Sequence, residues 1–211
     1  MRTLPIALLF SILAGCASVA KVESGERSLG ERMLVSLDGP WNKVSAPDMG
    51  PAEVWTMEGR PVDELLIYSG IKNEQAIHAT TMGSNRKNFA FRSGMQPDEI
   101  VAMFEGMLTR DGSTFKLVKL APADFGGAKG FRFEYALTRK IDNVQLSGLG
   151  FGTVSNGELF ALLYHAPRLA FFPRHQPRVE QMARSARIKD LKMGTDLKMG
   201  TDPIFLHLRK M

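Results

Sequence analysis

The chain has 211 residues, 44% hydrophobic, 23% charged and 9% aromatic, a globular balance that excludes a chain too polar to bury a core. The length allows one domain or two small ones, and a single cysteine excludes a disulfide framework and a cysteine-built zinc cage. Lysine plus arginine number 27 against 22 acidic residues, too mild an excess to call for a nucleic-acid partner.

Met1-Arg2 forms a short positive start, and Leu4 to Leu13 is a nearly continuous apolar run. Ten such residues suit the apolar core of a signal peptide, whereas a spanning helix needs about 20. The run ends in Leu13-Ala14-Gly15-Cys16, which resembles the lipobox of bacterial lipoproteins. The resemblance implies cleavage between Gly15 and Cys16, a diacylglyceryl group on the Cys16 thiol, and anchoring by two or three fatty chains, enough for stable attachment. It also implies a periplasmic location. Ala17 follows the cysteine in place of the aspartate that retains lipoproteins at the inner membrane, which favours the outer membrane. Residues 1–15 therefore read as a signal peptide, and 16–33 as the lipidated cysteine and a small, polar, flexible tether.

A single domain is expected over 34–189. Met33 to Asp38 reads as a strand before the Gly39-Pro40 turn, and Val54 to Met57 and Glu64 to Ser69 as two more. Residues 72–94 read as a long polar loop with a short strand at Phe89 to Phe91. Pro97 to Arg110 carries helix signals: proline at the start, Asp98 and Glu99 in the first turn, and Gly112 past the end. Ile100, Met103, Phe104, Met107 and Leu108 form its apolar stripe. The period then changes to two. Strands are expected at Phe115–Leu120, Phe131–Thr138, Gln145–Val154 and Glu158–His165, with Asn156-Gly157 as a hairpin turn. An aromatic loop (Leu169 to Pro173) leads to a second helix, Gln176 to Ile188, whose buried face is Val179, Met182, Ala183 and Ala186. The fold class is α+β: an antiparallel sheet built on this C-terminal four-strand meander, with two helices packed on it. Residues 190–211 read as a mobile tail in which Asp190-Leu-Lys-Met-Gly-Thr195 recurs at once as residues 196–201, too little for a stacked array.

Three stretches, Leu37 to Val44, Val54 to Gly59 and Tyr164 to Arg187, resemble uncharacterised bacterial lipoproteins. The order strand, polar insert, helix, meander and closing helix is similar to the PsbP/Mog1-like fold. That resemblance implies an accessory or interaction protein and transfers no site residue.

The chemistry-bearing residues form no familiar motif. His78, His165, His175 and His207 show no metal-ligand spacing, and no serine elbow or phosphate loop occurs, so no metal or cofactor is expected. Glu74, His78 and His165 are the candidates for a hydrolase of unfamiliar type, against solvated surface for His78 and a satisfied strand-end histidine for His165. Gly148, Gly150 and Gly152 share one strand face and make a lane without side chains. Either the final helix covers it or it is a shallow apolar groove. From Ala166 to Lys189 six basic residues face Glu180 alone, a net +5 equal to the excess of the whole chain. Arg174, Arg178, Arg184 and Arg187 form either a solvated helix face or a contact for anionic lipid, cell-wall polymer or an acidic envelope protein. The expected function is a non-catalytic, lipid-anchored accessory or binding protein of the envelope, with an envelope hydrolase as the alternative.

Overall fold

A computed structural model describes residues 19–79 and 89–189. The expected signal peptide, Gly15, Cys16 and the duplicated tail lie outside these residues. Eleven strands and two helices are described: β1 (Val19–Val22), β2 (Gly25–Leu29), β3 (Met33–Leu37), β4 (Trp41–Val44), β5 (Glu53–Thr56), β6 (Glu64–Ile71), α1 (Pro97–Leu108), β7 (Thr114–Phe125), β8 (Ala128–Thr138), β9 (Gln145–Ser155), β10 (Glu158–Pro167), α2 (Phe171–Ser185) and β11 (Arg187–Ile188).

The α+β class holds, on a larger sheet than expected. Eight strands in the order β1-β4-β5-β6-β10-β9-β8-β7 pair antiparallel throughout, so the β7–β10 meander is one half of the sheet. Two of its three hairpins turn on Gly126-Gly127 and Asn156-Gly157, where all four residues have positive φ, the geometry that suits two-residue turns. A second sheet, β11-β3-β2, joins the two ends of the described chain.

Both faces of the large sheet are covered over its central strands. Leu66, Tyr68, Leu163, Phe131 and Phe133 pack with Ile100, Phe104 and Met107 of α1. On the opposite face Leu65, Ile67, Phe151, Leu162 and Tyr164 pack with Val179, Met182 and Ala183 of α2 and with the small sheet through Leu29, Met33, Val35 and Leu37. The central strands β6 and β10 are buried on both sides and so read as continuous apolar runs, whereas β8 alternates strictly.

Two expectations change. The flexible tether over 16–33 is replaced from Val19 onward by paired strands, because β1 and β2 are edge strands whose ladders come from β4 and β3. Helix α2 runs Phe171–Ser185 and not Gln176 to Ile188: it takes in the Phe171 to Pro173 part of the supposed aromatic loop, and Arg187–Ile188 leave it to pair with β3. Pro173 is its third residue, where the backbone lacks an intrahelical acceptor in any case, so only Pro177 removes a bond.

Candidate functional site

The start of β6 and the end of β10 lie side by side, with His165 paired to Glu64 and Tyr164 to Leu65. Successive strand residues point to opposite faces, so this end of the sheet carries a polar group on each.

On the α1 face His165 is 9% exposed, with Nδ1 3.2 Å from the Tyr135 hydroxyl and Nε2 3.7 Å from Glu64. Burial pushes the imidazole below its ordinary range, more strongly than Glu64 pulls it up, with the Arg139 charge adding to the fall. A neutral ring accepts the Tyr135 O–H at Nδ1 and presents Nε2–H to Glu64, a tautomer assigned from the hydrogen-bond network. Burial also raises the Tyr135 phenol, so it keeps its proton. Glu64 accepts from Arg60 Nε at 2.7 Å, and the other nitrogens of Arg60 reach Asp48 at 3.3 and 3.0 Å. That hydrogen bond holds Asp48 below the usual carboxylate range. The run Asp48–Arg60–Glu64–His165–Tyr135 thus alternates charges and ends in a neutral pair.

On the α2 face Asp63, almost fully buried, accepts from the Thr56 hydroxyl, from the Met57 and Glu58 amides at 3.0 and 2.8 Å, and from Tyr164 at 3.5 Å. It fixes the turn between β5 and β6 from inside. Glu58, on that turn, lies 2.8 Å from His175 Nε2 and 3.3 Å from Arg174. The His175 bond comes first in holding Glu58 below its ordinary range. Trp41 meets Tyr164 edge-on at 6.3 Å, and Phe172 stacks on Tyr164 at 6.0 Å.

The three expected catalytic candidates do not converge. His78 is buried, contrary to a solvated-surface reading: Phe89 lies 5.5 Å from its ring, and the Gly50 backbone packs against its own. Burial, then the Arg110 charge, lowers its basicity. Glu74 is exposed on a turn, with positive φ, its amide donating to the Phe91 carbonyl at 2.7 Å. His165 belongs to the run described above. Among the described residues no three His, Cys, Asp or Glu side chains gather as a metal site. The sequence reading missed Asp48, Arg60, Asp63, Glu64 and Tyr135. A signal for part of it was available, since Asp63-Glu64 stands directly before the apolar run Leu65 to Tyr68 and Arg60 stands four residues before Glu64.

The glycine lane is a packing surface, covered by different residues than expected. Gly148, Gly150 and Gly152 are paired with Tyr135, Phe133 and Phe131 of β8. A Cβ at any of the three would overlap the ring of its own partner. The rings belong to the core beneath α1, so the lane lies on the face away from α2.

Each of the four candidate arginines, Arg174, Arg178, Arg184 and Arg187, has an acid beside it. Arg178 donates to Asp38 at 2.8 Å and lies over Trp41 at 5.7 Å. Arg174 reaches Glu58 at 3.3 Å, while Arg184 and Arg187 stand 3.9 Å from Glu180 and Glu26. Glu180 is held more closely by Arg132, at 3.1 Å, than by Arg184.

No family model and no curated protein matches the chain. Among solved structures, the solution structure of cyanobacterial PsbP from Synechocystis sp. PCC 6803 is similar, with a TM-score of 0.53 and 15% identity, covering 88% of this chain and 99% of that one. A Pseudomonas aeruginosa protein of unknown function matches with a TM-score of 0.35 and 12% identity, over 86% of this chain and 90% of that one. The likeness to cyanobacterial PsbP gives the domain a PsbP-like fold and nothing beyond the fold.

Proposed function

We propose that the chain is a lipid-anchored, non-catalytic accessory or binding protein of the bacterial envelope, held on the periplasmic side through Cys16, with the outer membrane as its site. The observation that carries this reading is the apolar run Leu4 to Leu13 ending in Leu13-Ala14-Gly15-Cys16, with the one cysteine of the chain at the position a lipobox requires. The non-catalytic part is supported by how the polar groups are used. A general base needs a nitrogen within reach of its substrate, and both nitrogens of His165 face protein groups. His175 and Glu58 hold each other, and Asp63 is taken up by the turn it fixes.

Cys16→Ser removes the sulfur that would be alkylated. Fractionated cells should show the wild-type chain with the membranes and the variant in the soluble periplasmic fraction. Equal membrane retention of both would overturn the anchor.

A further inference from the structure

We propose that the β1–β4 edge of the large sheet lies against the bilayer, with the β7 edge held away from it. The inference rests on the lipidation of Cys16 proposed above and adds which surface of the domain that anchor brings to the headgroups.

The argument begins with chain length. Three peptide units separate Cys16 from Val19, and even fully extended they span no more than about 11 Å. An anchored Cys16 therefore keeps Val19 within about that distance of the lipid. A flexible tether as far as residue 33 would have let the domain turn freely; strand β1, starting at Val19, removes most of that freedom.

Strand β1 is the outermost strand of its sheet and pairs with β4 alone. It is little covered by the rest of the fold: Val19 is 61% exposed and the Lys21 side chain 62%, and Ala20, on the other face, is exposed too. The faces of the central strands are taken, one by α1 and the other by α2 and the small sheet, so they cannot meet the headgroups. The opposite edge, β7, stands seven strand spacings away, roughly 34 Å at 4.8 Å per strand. An 11 Å reach cannot bring that edge to the same headgroups.

Charge does not set this orientation. Lys21 lies 3.0 Å from Glu23 and Lys43 2.7 Å from Glu53, so the edge carries both signs. The apposition is imposed by the covalent tether and should persist at high salt, where attraction between exposed charges is screened.

The test uses the chain from Cys16 onward, coupled through its single thiol to a maleimide-headgroup lipid in phosphatidylcholine–phosphatidylglycerol vesicles. The reference is the same chain, its thiol capped with a soluble maleimide, among the same vesicles. Both are treated briefly with a small amine-acylating reagent, and each lysine is read by mass spectrometry. Lys21 and Lys43 should react several-fold more slowly on the coupled protein, at low and at high salt, while Lys116 and Lys119 of β7 react at unchanged rates. A flexible Gly-Ser insert of about ten residues between Cys16 and Val19, with a mean span near 17 Å, should restore Lys21 and Lys43. Unchanged rates at Lys21 and Lys43, or equal protection of Lys116 and Lys119, would overturn the proposal. The coupling is chemical, so this result is independent of whether cells lipidate Cys16, which the Cys16→Ser fractionation decides separately.

Discussion

Phe133 and Gly150 show how one residue's missing side chain becomes another's seat. Glycine weakens a strand, and here an aromatic ring on the neighbouring strand leans over each of three glycines and restores the lost contact. Gly150→Val should therefore cost about 1–3 kcal/mol as an overpacking change, read as a lower denaturation midpoint. A second change, Phe133→Leu, should recover part of that loss by vacating the occupied space. An unaltered midpoint in Gly150→Val would mean that the ring does not lie where described. The arginines of the closing segment divide in the same residue-by-residue way. Arg178→Gln removes a 2.8 Å ion pair and a ring contact and should cost about 1–3 kcal/mol. Arg184→Gln loses only an exposed 3.9 Å pair and should stay within about 0.5 kcal/mol of wild type. Equal effects in chemical denaturation would remove the distinction between a fastened and a solvated arginine.

Elements differ in how visibly the sequence announces them. The meander was legible because β8 alternates strictly and Asn156-Gly157 can serve only as a tight turn in that setting. Helix α1 was legible through its proline, its acidic first turn and its apolar stripe, and the Gln96 amide does donate to Glu99 at 2.8 Å. Strands β1 and β2 were not, since an edge strand buries little of itself: Leu29 is the single fully buried residue of the two. The polar tether was a fair reading of composition, overturned by pairing that only β3 and β4 could supply. The start of α2 was hidden by Pro173, which looks like a loop residue until the helix is seen to begin ahead of it. The glycine lane was legible as a close approach but assigned to the wrong neighbour. Phe131, Phe133 and Tyr135 share the length and period of the three glycines on the next strand, and antiparallel pairing aligns the two sets. The polar run at the sheet end was legible only in the spacing of Arg60 and Glu64, because Asp48, His165 and Tyr135 come from separate segments that only the folded sheet brings to that pair.

At the scale of the whole molecule, these buried groups set a pH dependence. The folded forms of His165 and His78 bind protons less readily than the ordinary imidazole at 6.5, so below that value protons favour the unfolded chain. Their contribution is complete above about pH 6.5 and declines as the pH falls toward their lowered folded values. Asp48 and Glu58, held low by Arg60 and His175, add a second decline below their ordinary values of 3.8 and 4.5. The melting temperature should thus fall in two stages on acidification, and His165→Gln should flatten the first. Melting curves at a series of pH values check this, and an unchanged slope between pH 7 and 5 in the variant would remove His165 as its source.

The small sheet has a consequence for the order in which the chain assembles. Arg32 and Lys189, 157 residues apart, meet where the Lys189 amide donates to the Arg32 carbonyl at 2.7 Å. Closing a loop that long costs about 4–5 kcal/mol in chain entropy, far more than a two-residue strand returns. Strand β11 is too short to draw the two segments together by itself; the meander and α2 carry residue 187 to the side of β3. The seam between the two ends of the described chain should therefore close late and open early, read as low hydrogen-exchange protection of the Ile188 and Lys189 amides.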